Sequence, residues 1–196
     1  MAGQPPRHFV GTIRDDIERV LVSRHEIDDR LQAIGGQIAR LYQGQELTIV
    51  AVLTGALMLL ADLIRHVPLH MRVDLVSVSS YPGQSTASQG PQVHLPIPAD
   101  LGGRHVLVLD DILDSGATLK LLLEEAARMN PASLRSCVLV RKYRPDLADR
   151  IEADFVGFDV PNEFVIGYGM DFDNLYRNLP DICVLKAHAA GGGERP

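Results

Sequence analysis

Val106-Leu-Val-Leu-Asp-Asp-Ile-Leu-Asp-Ser-Gly-Ala-Thr118 decides how this chain is read. Its apolar start predicts a buried strand over His105–Leu109. That strand delivers two adjacent carboxylates, Asp110 and Asp111, and a third, Asp114, follows. Like charges this close repel unless a cation or a polar ligand sits among them. The turn Asp114–Thr118 is shaped for an anion. Gly116 lets the backbone approach, Ser115 and Thr118 offer hydroxyls, and a helix beginning at Ala117 turns free N–H groups outward. Acids beside an anion cradle imply a ligand with sugar hydroxyls, a phosphate and bound Mg²⁺.

Working outward, a second apolar strand, Leu47–Leu53, turns at Thr54-Gly55 into a helix predicted from Ala56 to Arg65 and ended by Pro68. Ser23 with Glu26 forms a capping box, and Ile27, Leu31, Ile34, Ile38 and Leu41 continue at helical spacing. Gly35-Gly36 weakens that helix and allows close packing. Val73–Ser79 is β-rich. Tyr81–Gly103, rich in Gly, Ser, Gln and Pro, is read as a long loop of the lid kind. A helix over Ala117–Met129 and strands over Leu134–Val140, Asp154–Phe158, Phe164–Gly167 and Ile182–Leu185 complete the pattern. Alternating strands and helices predict an α/β fold, a parallel-rich twisted sheet flanked by helices. Ligands of such sheets sit beyond the carboxyl ends of strands, near a topological switch point. The loops after Leu53 and after Leu109 both qualify.

The whole chain has 196 residues and reads as one domain, with 1–8 and 188–196 expected to be flexible. Its net charge of −6 does not favour broad binding to nucleic-acid phosphates. Cys137 and Cys183 lie in apolar runs and read as buried free thiols. No apolar signal core and no stretch long enough to span a membrane is evident, so a cytoplasmic protein is expected. Pro68 separates His66 from His70 and disrupts the helix that would align them, so no zinc site is expected. The P-loop lysine and the Gly-x-Gly-x-x-Gly dinucleotide fingerprint are both missing.

What remains, acid-acid-apolar-apolar-acid-Ser-Gly-x-Thr, resembles the phosphoribosyl-pyrophosphate (PRPP) motif of type I phosphoribosyltransferases. Val78–Tyr81, Asp154–Phe158, Glu163–Tyr168 and Asp171–Pro180 resemble the hypoxanthine-guanine branch of that family. The likeness covers roughly residues 15 to 186. It implies transfer of ribose 5-phosphate from PRPP to hypoxanthine, and also to guanine, with release of pyrophosphate. It further implies Mg²⁺, a small hood built from the N-terminal helix region and the C-terminal strands, and a homo-oligomer, dimer or tetramer.

By the same resemblance, Asp110 and Asp111 hold the ribose hydroxyls directly or through Mg²⁺, and Asp114 is the acid/base group facing N7 of the purine. Ser115, Gly116, Ala117 and Thr118 cradle the 5′-phosphate. Lys142, with Arg141 as the alternative, meets the 6-oxo group. Phe164 stacks on the base and Val165 offers backbone contacts. Asp171 binds a Mg²⁺ associated with pyrophosphate and Arg177 reaches the pyrophosphate oxygens. Ser80 and Tyr81 open the mobile loop that closes over the sugar. The chain departs from the family at Thr54-Gly55, where Lys-Gly is frequent and the bond joining those two residues can be cis. A Thr removes a positive charge from the leaving-group pocket, so weaker PRPP binding is expected. Two other readings stay open at this point: a xanthine-preferring transferase, and an RNA-binding pyrimidine regulator of the same fold, which would need a basic face.

Overall fold

The computed structural model describes residues 11–79, 92–147 and 150–186. Its main sheet contains β2 (Leu47–Leu53), β3 (Met71–Ser79), β4 (Gln92–Leu95), β5 (His105–Leu113), β6 (Ser133–Lys142) and β7 (Phe155–Val160). The strand order is β4-β3-β2-β5-β6-β7, parallel throughout except for β4 at the edge. The chain leaves β2 toward β3 and later returns to lay β5 on the other side of β2. Strand order therefore reverses between β2 and β5, and a crevice forms at their carboxyl ends.

Burial on both faces explains why these strands are apolar runs. Ile49, Ala51, Leu107, Leu109, Cys137 and Leu139 face one way. They meet α1 (Arg24–Leu41) and α2 (Leu57–Leu63). Val50, Val52, Val106, Val108 and Val138 face the other way, onto Leu119, Leu122 and Ala126 of α3 (Ala117–Ala127). The period-2 alternation thus feeds two cores. Each fully buried Leu or Ile contributes roughly 1.5–3 kcal/mol. Ser23 accepts from the Glu26 N–H while Glu26 accepts from the Ser23 N–H at 2.8 Å, the predicted capping box. A Cβ on Gly35 would lie 2.6 Å from Cβ of His66, so the helix dip at Gly35 admits the segment that follows α2.

A second sheet, in the order β1-β9-β8, joins β1 (Ile17–Val22) to β9 (Ile182–Leu185) and β8 (Val165–Ile166). This is the hood. Beside it, Tyr176 donates at 2.8 Å to Asp16, the residue just before β1.

Several elements differ from expectation. The N-terminal share of the hood is a strand, β1, and not a helix; α1 packs on the main sheet instead. β4 lies within the segment expected to be a loop, because β3 offers an edge on which Gln92–Leu95 can pair. β5 continues through both acids to Leu113 along the ladder with β6, and β6 runs through Arg141 to Lys142, which pairs with β7. α2 stops at Leu63 and tightens into a 3₁₀ turn, Ile64–His66, before Pro68. Both cysteines are buried and unbridged. Ser80 and Tyr81, the part of the expected lid up to residue 91, and the tails 1–8 and 188–196 lie outside the described residues. Among the described residues no helix is long and apolar enough to cross a membrane.

Candidate active site

The carboxyl ends of β2, β5 and β6 converge with a turn of the hood. At the end of β5, Asp110 is 6% exposed and its Oδ1 accepts the Asp111 N–H at 3.0 Å. Burial, then the neighbouring Asp111 charge, raises the Asp110 carboxyl well above the usual carboxylate range. Asp111 is also pushed up, chiefly by burial, although Arg177 works against the shift. Two partly desolvated acids side by side are costly alone and gain from a cation or hydroxyl donors.

Asp111 leans over the loop that ends β2. A Cβ on Gly55 would overlap the Asp111 carboxylate, so any side chain there would have to displace that acid. Thr54 is exposed, and the cis peptide is Leu53–Thr54, one bond earlier than the bond expected to be cis. The same loop touches the hood: a Cβ on Gly169 would overlap the Gly55 carbonyl. Arg177 donates to the Gly169 carbonyl at 2.7 Å and pairs with Asp171 at 2.6 Å. Asp171 also accepts the Asn174 N–H at 2.8 Å. Arg177 and Asp171 are therefore neighbours of the β2 loop, but each occupies the other.

Asp114 closes β5 with both oxygens engaged. Lys142, at the end of β6 and 8% exposed, donates to Oδ2 at 2.8 Å. Arg144 donates to Oδ1. Burial pushes the Asp114 carboxyl up, but the hydrogen bonds and charges of Lys142 and Arg144 outweigh it and hold the group below its ordinary range. Arg141, the alternative to Lys142, points elsewhere: it pairs with Asp159 at 2.6 Å and Glu152 at 2.5 Å. Strand alternation explains the split, since adjacent residues of β6 take opposite faces.

Gly116 has φ of 84°, a left-handed conformation that glycine adopts without strain, and a Cβ there would lie 2.8 Å from Ile151. Ser115 is exposed and its hydroxyl accepts from the Ala117 N–H at 3.3 Å. Thr118 stands in the first turn of α3, whose first N–H groups have no carbonyl within the helix. The predicted anion turn therefore has the right local build. On the hood, Val165 is buried in β8, while Phe164 just before it is 51% exposed and meets Phe172 edge-on at 5.4 Å. An aromatic this open is no core residue. It is a ring available to stack.

Arg144 and Arg150 were not singled out from sequence. Arg150 donates to the carbonyls of Leu113 and Lys142, tying the ends of β5 and β6 together. The signal available was the density of cations at the end of β6 and just after it: Arg141, Lys142, Arg144 and Arg150.

The phosphoribosyl transferase domain family matches residues 23–173. The chain is 41% identical over 175 residues to the hypoxanthine-guanine phosphoribosyltransferase of Bacillus subtilis (strain 168), covering 89% of this chain and 96% of that one. The chain belongs to the hypoxanthine-guanine phosphoribosyltransferase family. A relative of the same name from Mycobacterium tuberculosis (strain ATCC 25618 / H37Rv) is 40% identical over 178 residues, with 87% of each chain covered. The crystal structure of a hypoxanthine phosphoribosyltransferase from Staphylococcus aureus superposes with a TM-score of 0.83 at 35% identity, covering 93% of this chain and 98% of that one. Membership of this phosphoribosyltransferase family makes the chain an enzyme of ribosyl transfer and the crevice at β2 and β5 its candidate centre.

Proposed function

We propose that this chain is a Mg²⁺-dependent purine-salvage transferase. It joins hypoxanthine and guanine to PRPP and releases pyrophosphate, giving inosine and guanosine monophosphates. The observation that carries this reading is Asp114 set against Lys142 at the mouth of the crevice. A lysine beside the purine 6-position donates to an oxo group and has nothing to accept from an amino group, which favours oxopurines over adenine.

The residues take the following parts. Ser115, Gly116, Ala117 and Thr118 bind the 5′-phosphate through hydroxyls and helix-start N–H groups. Asp110 and Asp111 orient the ribose hydroxyls. Phe164 covers one face of the base, with Val165 behind it. Asp114 takes the proton that the base loses as its new bond to the sugar forms. Arg177, with the backbone of Thr54 and Gly55, faces the leaving pyrophosphate. Ser80 and Tyr81 begin the segment that excludes water from the reacting sugar.

A Mg²⁺ ion fits this donor set. Asp110 and Asp111 are hard oxygen ligands whose crowded charges a cation relieves. Among the described residues no group of three or more His, Cys, Asp or Glu could hold a metal, so substrate oxygens would complete the site, as Mg²⁺ prefers. Asp171, already paired with Arg177, would lend a further oxygen to an ion associated with pyrophosphate. When bound, the ion would stabilise the charge that develops on pyrophosphate.

We further propose a single catalytic domain, a cytoplasmic location and a dimer or tetramer. Two unbridged cysteines agree with a reducing compartment. Loss of turnover in Asp114→Asn with retained PRPP binding is the test of the acid/base assignment. Undiminished turnover would remove it.

A further inference from the structure

Asp114 is gripped by two cations, and the reading above uses only one. We propose that Arg144 is a positioning residue for the reaction: it fixes the plane of the Asp114 carboxylate and its readiness to exchange a proton with the base. The inference rests on the proposed acid/base role of Asp114.

The geometry runs through three residues of different elements. The Asp114 side chain is 40% exposed, open enough to rotate unless held from both sides. Lys142 holds Oδ2 from β6 at 2.8 Å. Arg144, in the segment after β6, holds Oδ1 through Nη1. Its guanidinium is itself aimed: Nε and Nη2 make a fork onto the two oxygens of Asp146, at 3.0 and 2.8 Å. A planar guanidinium forked on one carboxylate has little freedom left, so Nη1 is directed at Asp114. Asp146 is 58% exposed and makes a weak stability contribution at best, whereas Arg144 is 21% exposed and held at both ends. The pair is better explained by aim than by stability.

The other charges around Asp114 do not replace Arg144. Arg150 stands behind it but spends its donors on the carbonyls of Leu113 and Lys142. Asp110 and Asp111, on the same strand, are acids and supply no positive charge to Asp114. Lys142 is committed to Oδ2, and in the proposed reaction it also meets the 6-oxo group. Arg144 is thus the cation left to hold the carboxylate while Lys142 engages substrate. An oxygen has two lone-pair directions, so Oδ1 can accept from Arg144 and from a ring N–H together.

The test is the pH profile of kcat/KM for hypoxanthine in Arg144→Gln, Arg144→Lys, Asp146→Asn and the unaltered enzyme. Removing a cation beside a carboxylate favours its protonated form, so the acidic limb of Arg144→Gln is expected at higher pH. At neutral pH its kcat/KM for the base is expected to fall about tenfold, with KM for PRPP within about twofold. Arg144→Lys is expected to restore most of the loss, and Asp146→Asn to show a smaller shift in the same direction. Unmoved limbs in a folded Arg144→Gln enzyme, or equal losses toward base and PRPP, would overturn the inference. Asp114→Asn separates the two levels. If it abolishes turnover while Arg144→Gln keeps the unaltered profile, only the role of Arg144 fails; if Asp114→Asn is fully active, the acid/base reading fails.

Discussion

The Asp111 carboxylate lies where the Cβ of any other residue at position 55 would have to be, and this one contact links the acid pair to the loop after β2. Its neighbour Thr54 is exposed at the same edge and carries no charge. Thr54→Lys is expected to lower the Michaelis constant for PRPP severalfold, because a cation there adds favourable charge near the phosphates. An unchanged constant in steady-state kinetics would count against a charge deficit at this position. Asp110 supplies a second residue-level test. Its folded carboxyl holds its proton more tightly than the unfolded chain does. Between the unfolded and folded values the native state binds the extra proton, so the stability contribution falls as pH rises through that window. Asp110→Asn is therefore expected to melt roughly 2–4 °C above the unaltered enzyme at neutral pH in chelator. The gap should close as pH drops toward the ordinary carboxylate range near 4. Thermal melts across that range check both the sign and the convergence.

At the scale of elements, β2 and β5 place the site, and glycines keep it open. Gly55→Ala would force its Cβ into the Asp111 carboxylate. The carboxylate has to swing aside, which takes one of the paired acids out of place, so a rise of roughly tenfold in the PRPP constant is expected with circular dichroism unchanged. Most of this was legible in sequence. The motif Asp110–Thr118, the capped helix at Ser23 and the apolar runs of β2, β5 and β6 all carry strong local signals. What escaped depends on neighbours. Gln92–Leu95 is polar and short, and is a strand only because the edge of β3 is there to pair with. Asp110 and Asp111 look like a strand end, yet β5 continues because β6 beside it continues. The choice between Arg141 and Lys142 needed the register of β6, which turns Lys142 to Asp114 and Arg141 to Asp159. Arg144 reaches Asp114 across a distance in sequence that no local pattern encodes.

For the whole molecule, the hood matters because it is pinned to the main sheet at the site itself. Gly169 touches the Gly55 carbonyl, and just before it Tyr168 donates to Asp62 of α2 at 2.6 Å. Arg24 joins that cluster, 3.2 Å from Asp62 and over the Tyr168 ring. Tyr168→Phe is expected to loosen the hood turn, raising the PRPP constant about threefold to tenfold with little change in melting temperature, since one hydrogen bond is worth only about 1 kcal/mol. A large fall in melting temperature with unaltered kinetics would instead make the pin purely structural. In the proposed reaction Lys142 selects the purine, Asp114 exchanges its proton and the turn Ser115–Thr118 holds PRPP, all at the end of β5 and β6. The most direct measurement is pyrophosphate release from PRPP and Mg²⁺ with hypoxanthine, guanine and adenine in turn, using the unaltered enzyme and Asp114→Asn. Release with the two oxopurines, little with adenine, and a loss of roughly 10²–10⁴ in Asp114→Asn is the expected result. No release with any purine from folded protein, or equal rates with adenine and hypoxanthine, would contradict it.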